Sequence, residues 1–99
     1  LGVFTADCAG VVLVSDDAVG VAHAGWRGAA AGIVQVLRDR FESSGRQVHR
    51  AVIGPHIRSC CFEVGEEVAE HFPGQVNSTS WGTRSVDLAG VILEQLVGI

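Results

Sequence analysis

Hydrophobic residues recur with two different periods along this chain. Gly2–Asp7 reads as a short strand ending at Cys8. Val11–Ser15 and Ala18–His23 are apolar, Val-rich runs on either side of Asp16-Asp17, the signature of a hairpin about a tight acidic turn. Gly25-Trp26-Arg27-Gly28 interrupts the strand, and from Ala29 onward the period lengthens. Ile33, Val36, Leu37 and Phe41 then share one face of a predicted helix, with Arg38, Asp39, Arg40 and Glu42 opposite and Ser43-Ser44-Gly45 as the stop. Ala51–Ile53 is a further short strand closed by Gly54-Pro55. Glu66–Phe72 reads as a helix with acidic residues at its positive end. Pro73–Gly82 reads as a polar loop. Ser85 is placed to cap a last helix whose apolar face is Val86, Leu88, Val91, Ile92 and Leu96. The order β-β-β-α-β-α-α predicts a mixed α/β domain without internal repeats.

Composition sharpens this picture. Of 99 residues, 47% are hydrophobic and 18% charged, against about 25% charged in average globular chains. Much of the segment is therefore expected to be buried, part of it against chain outside this sequence. The absence of Met and the apolar ending Val97-Gly98-Ile99 read the same way, as a piece of a longer domain. A net charge of −4 argues against a nucleic-acid partner. No apolar run approaches the roughly 18 residues of a membrane span. Three cysteines, two of them adjacent, do not form a secreted disulfide framework, since adjacent cysteines rarely bridge to each other. Cys60 and Cys61 are expected to be structural, and the compartment to be a reducing cytoplasm.

Candidate chemistry gathers in three segments where polar residues sit beside glycine and strand ends: Thr5-Ala6-Asp7-Cys8, His23-Ala24-Gly25-Trp26-Arg27-Gly28 and Gly54-Pro55-His56. A hairpin about Asp16-Asp17 brings His23 next to Gly10 or Val11, at its open end. Cys8 enters that same end from the preceding strand. A sulfur and an imidazole so placed can form an activated nucleophile or two ligands of a zinc ion, which needs a third protein ligand from elsewhere in the fold. They can also be a small buried apolar residue and a hydrogen-bonded histidine. Arg27, between two glycines and directly before the predicted helix, suits an anion: the helix start offers free N–H groups, Gly28 permits close approach, and the guanidinium offers a fork of donors. Pairing with a surface carboxylate is the alternative. Trp26 can stack on a base or fill a corner of the core.

These strings, Thr5-Ala6-Asp7-Cys8, His23-Ala24-Gly25-Trp26-Arg27-Gly28, Ile53-Gly54-Pro55 and Cys61-Phe62-Glu63-Val64-Gly65, closely resemble the laccase-domain (YfiH-like) family, in order and over essentially the whole chain. The sequence departs from the family pattern at Gly10, His56, Arg58 and Phe62. The resemblance implies a layered α/β (α+β) fold, a mixed β-sheet with flanking helices, of the YfiH-like kind shared with cytotoxic-necrotizing-factor-like cysteine hydrolases. Residues 1–99 would be the central part of one such domain. It implies a catalytic zinc held by Cys8, His23 and a third histidine upstream of this chain. It implies phosphorolysis of purine nucleosides such as adenosine, inosine and methylthioadenosine, with adenosine deamination beside it. Arg27, Gly28, Trp26 and His56 are then candidates for binding phosphate and nucleoside, with an exposed loop histidine as the alternative for His56, and Asp7 for orienting a ligand or exchanging a proton, with a strand-end hydrogen bond as its alternative.

Copper is the alternative metal, in a polyphenol oxidase, but multicopper chemistry needs many histidines and the chain has four, none in a His-x-His pair. A hydrolase with Cys8 as nucleophile and His23 as base is a further reading, and an inactive piece of the domain another. Expected partners are purine nucleosides and phosphate, with no nucleic acid and no membrane; a homo-oligomer is compatible with all of these readings.

Overall fold

The computed structural model describes residue 5 and residues 7–96. Its elements are β1 (Ala9–Val14), β2 (Val19–Ala24), α1 (Trp26–Ala30), α2 (Ile33–Ser43), β3 (Arg50–Ile53), α3 (Glu66–Ala69), β4 (Val76–Ser78), β5 (Arg84–Val86) and α4 (Leu88–Leu96). The expected mixed α/β architecture is present, as one three-stranded antiparallel sheet ordered β2-β1-β3 and one two-stranded sheet, β4-β5. The strand expected over 2–7 falls outside the described residues except for Thr5 and Asp7, neither of which is in a strand.

The hairpin forms about Asp16-Asp17. Ser15 N–H donates to the Ala18 carbonyl at 2.9 Å, and the ladder runs from Val14↔Val19 to Ala9↔Ala24. It reaches beyond the expected Val11 to Ala9, so the strand arrives at Cys8's neighbour. Along β1 the side chains alternate strictly: Ala9, Val11 and Leu13 are buried and Gly10, Val12 and Val14 less so. α2 covers the inner face. A Cβ on Gly20 would lie 2.6 Å from a Phe41 ring carbon and 3.0 Å from Leu37 Cδ1, so only glycine lets the helix lie this close to β2. Ala9, Val11, Leu13, Ala24, Val34, Phe41, Val48 and Ile92 form one core. Ala29, Val68, Phe72, Val86, Leu88 and Val91 form a second.

Several expectations are corrected. The helix expected from Ala29 is two helices. Gly32 separates them with φ 77°, a left-handed backbone that a side chain would resist. The inward face of α2 includes Val34, whereas Val36 is half exposed. α2 does end where Ser43-Ser44-Gly45 predicted, with Gly45 at φ 79°. α3 stops at Ala69 rather than Phe72, though Glu66 and Glu67 do fill its first turn. Part of the expected 73–82 loop is the strand Val76–Ser78, paired with β5. Ser85 lies in β5, fully buried, and does not cap a helix. Val86 likewise belongs to that strand. Asp87 holds the start of α4 instead: its Oδ1 accepts the Gly90 N–H at 3.2 Å.

Valines on the outer face of the three-stranded sheet, Val19 and Val52, are about half exposed. No helix of the described residues is long and apolar enough to cross a membrane.

Candidate active site

The site lies where the first hairpin opens. Gly10 pairs with His23 and Ala9 with Ala24. Ala9 and Ala24 are buried, so His23, one position away, points to the opposite, accessible face. Continuing the register one step places Gly25 across from Cys8. Cys8 and His23 are then diagonal neighbours on a single face, at a spacing long side chains can bridge. The distances agree. A Cβ built on Gly25 would sit 2.9 Å from Cys8 Sγ and 3.8 Å from His23 Nε2. Sulfur and imidazole nitrogen thus share the space that the missing side chain of Gly25 leaves open. Cys8 is half-buried and unbonded, His23 exposed.

The sequence singled out Cys8 and His23, but the part played by Gly25 escaped it. Its backbone is extended, φ −77°, so the glycine is required for space and not for conformation. The signal that could have found it was register: a glycine directly opposite a cysteine across a hairpin.

Arg27 is placed differently from the expectation. α1 begins at Trp26, so Arg27 lies inside a five-residue helix and not ahead of one. It is exposed, and its guanidinium lies over the Trp26 ring, 4.5 Å from the centroid. Trp26 packs on the second core, with His71 5.8 Å away on centroids. Of the two uses weighed for Trp26, the structure shows the core corner. Gly28 does permit a close approach, but to protein: a Cβ there would be 3.1 Å from the His23 carbonyl oxygen. It lets α1 lie against the end of β2 and so fixes the residue next to the site.

Asp7 is exposed, and its carbonyl accepts the Ile57 N–H at 2.8 Å. The Gly54 N–H donates to the Gly10 carbonyl at 2.8 Å. These two bonds bracket Cys8 and clamp the 54–57 turn against it. His56, on that turn, is half-buried; its Nδ1 is 3.0 Å from the Gly54 carbonyl and its buried Nε2 has no partner. With Nδ1–H donating, Nε2 is left as an acceptor. Beside His23, a cleft of about 490 Å³ runs between β2 and α2, walled by Val21, Ile33, Val36 and Leu37 with Arg40 at its side. That is within the usual size of a small-molecule site.

Cys60 and Cys61 correct an expectation: they are bonded to each other. Both are exposed. Among the described residues, no cluster of three or more His, Cys, Asp or Glu side chains could hold a metal ion. Cys8 and His23 are a donor pair of the kind zinc takes, thiolate and imidazole, and fit two of the three protein ligands of a catalytic zinc site.

Comparisons with known proteins give the family. The family model described as "multi-copper polyphenol oxidoreductase laccase" matches residues 1–99. Purine nucleoside phosphorylase ORF3 of Streptomyces griseus is 40% identical over 107 residues, covering 100% of this chain and 44% of that protein. Adenosine deaminase RL5, from an unknown prokaryotic organism, is 46% identical over 76 residues, covering 73% of this chain and 29% of that protein. The crystal structure of the Bacillus licheniformis hypothetical protein YfiH superposes with a TM-score of 0.80 at 33% identity, over 94% of this chain and 40% of that one. The chain thus spans less than half the length of these relatives. With its whole length matched and its fold shared with YfiH, the chain belongs to the multi-copper polyphenol oxidoreductase laccase family.

Proposed function

We propose that this chain supplies the catalytic core of a purine nucleoside phosphorylase that depends on zinc, acting on adenosine, inosine and methylthioadenosine and also deaminating adenosine. The observation that carries this reading is that Cys8 Sγ and His23 Nε2 both border the space beside Gly25. The names of the relatives supply the reaction class.

Cys8 and His23 would hold the zinc together with a ligand from outside this sequence. When bound, zinc supplies Lewis acidity next to the reacting nucleoside. In phosphorolysis a phosphate oxygen attacks the anomeric carbon of the ribose, the C–N glycosidic bond breaks, and the purine leaves with a proton. The Arg27 guanidinium, exposed and steadied on Trp26, is the donor for phosphate oxygens. Gly28 keeps His23 in place by admitting α1 against its carbonyl. His56 Nε2, an unpartnered acceptor on the turn clamped beside Cys8, is the candidate contact to a nucleoside N–H or hydroxyl. Asp7 anchors that turn through its carbonyl, and its exposed carboxylate is the candidate for orienting a ligand or moving a proton. In deamination, water replaces the amine on the purine ring. The cytoplasm is the proposed compartment, where Cys8 stays reduced and able to bind metal.

The test is full-length protein with inosine and phosphate, followed for hypoxanthine and ribose 1-phosphate. Release of both products, lost in Cys8→Ala and His23→Ala, is the expected result. Copper in the purified protein with phenol oxidation and no hypoxanthine would overturn it in favour of an oxidase. Labelling of Cys8 by an alkylating probe that abolishes activity in metal-free protein would overturn it in favour of a cysteine hydrolase.

A further inference from the structure

We infer that the Cys60–Cys61 pair is a reversible thiol–disulfide exchange site, separate from the Cys8 site and serving no structural purpose as a staple. The two sulfurs are bonded to each other, and both residues are exposed, so a small thiol can reach them. Access and thiolate character govern such exchange.

Their place in the fold gives the bond its meaning. The segment from Gly54 to Val64 is a strap between the two sheets. Its first half is tied to the Cys8 strand, by the Gly54 N–H to the Gly10 carbonyl and the Ile57 N–H to the Asp7 carbonyl, both 2.8 Å. Its second half is tied to the β4–β5 hairpin. The Val64 N–H donates to the Arg84 carbonyl at 3.0 Å, and Glu63 bridges to Ser85. The pair sits between these two sets of bonds, in a turn where the Cys61 and Phe62 N–H groups both donate to the Arg58 carbonyl at 3.0 Å. Ser80 holds the Cys60 carbonyl with its N–H at 2.8 Å and its hydroxyl at 3.3 Å.

A bond between adjacent residues closes almost no chain, so it removes little entropy from the unfolded state. Opening it should alter one turn of the strap and leave both cores intact. This distinguishes it from a disulfide that holds a fold together.

The chemistry balances with a low-molecular-weight thiol as reductant. Its thiolate attacks one sulfur, the Cys60–Cys61 bond breaks, and the released sulfur takes up a proton. A second thiol displaces the first from the mixed disulfide. Two electrons and two protons reach the protein, and the reductant leaves as its disulfide. A low-molecular-weight disulfide runs the sequence backwards.

The test is the full-length protein equilibrated across glutathione buffers from fully oxidised to fully reduced, quenched in acid, alkylated and mapped by peptide mass. The peptide carrying both cysteines should pass from unlabelled, two hydrogens lighter than the dithiol, to doubly labelled, and return on reoxidation. Cys8 should take one label throughout. The melting temperature should move by no more than about 2 °C between the two ends. Double labelling in the fully oxidised buffer would overturn the inference, as would a bridge from either residue to Cys8 or to another chain. So would unfolding on reduction, which marks a structural staple. The doubly substituted Cys60→Ser, Cys61→Ser protein separates these outcomes, since it should fold, melt as the parent does, and show no dependence on the buffer.

Discussion

The sheet of β1, β2 and β3 and the strap-and-hairpin region that follows it are held together by different forces. In the first, strict alternation buries Ala9, Val11 and Leu13 against α2, and a glycine at position 20 brings that helix into contact. In the second, β4 is exposed along its length, and the joints are polar. Thr79 and Thr83 hydroxyls meet at 2.8 Å, the Trp81 indole donates to Glu63 at 2.7 Å, and Arg84 pairs with Glu66. The first region therefore gains its stability from area removed from water. The second adds individual hydrogen bonds, each worth about 1 kcal/mol, to the packing of Val64 and Val86 in the second core. The Cys8–His23 pair sits at the open end of the first region, where strand register makes the two residues diagonal neighbours. The exposed disulfide sits in the second region, in a turn held by hydrogen bonds to the Arg58 carbonyl and from Ser80.

The contrast can be broken at several points. Leu13→Ala removes a fully buried side chain from the first core and should cost about 2–5 kcal/mol, measured by denaturant unfolding. A polar truncation in the hairpin, such as Thr83→Ala, should cost about 1 kcal/mol. Equal losses at the two positions would erase the distinction drawn above. Gly25→Ala puts a methyl carbon 2.9 Å from Cys8 Sγ, closer than the two atoms can sit. The sulfur can rotate away, so the fold should hold within about 1 kcal/mol. Zinc affinity and nucleoside turnover of the full-length protein should nevertheless fall about 10- to 100-fold. Unchanged metal content in that variant would show that the pair does not share the space beside Gly25.

The smallest effect is expected at acid pH. The Arg46 side chain, 2.9 Å from the Asp17 carboxylate, holds that group below its ordinary 3.8. Because the folded value is the lower one, the pair's contribution is complete above the unfolded value and disappears as pH falls through the folded one. Melting temperatures followed from about pH 6 to about pH 2 should show a slight extra acid sensitivity that Asp17→Asn abolishes. Both side chains are exposed, so salt should weaken the effect.

How much of this was legible depends on which force shaped each segment. The β1–β2 hairpin, its Asp16-Asp17 turn, the end of α2 at Gly45 and the strand before Gly54-Pro55 were all readable, because burial and turn chemistry leave periodic or punctuating residues. Cys8 and His23 were readable as a pair once the turn was placed, since register follows from the turn. The β4 strand was not: only Val76 of its three exposed residues is apolar, too few for an alternation to show, and pairing with β5 makes it a strand. Ser85 was misread because a serine before an apolar run resembles a helix cap. The structure buries it in β5 and gives the cap to Asp87.

Local pattern alone determined that this chain forms a mixed α/β unit with a sulfur and an imidazole at the mouth of a hairpin, because turns and alternation act between near neighbours. Tertiary packing alone decided two things: that Gly25 leaves open the space beside those two groups, and that Gly28 serves the contact of α1 with β2. Each depends on how closely two backbones approach after folding, a distance that no single stretch of sequence encodes.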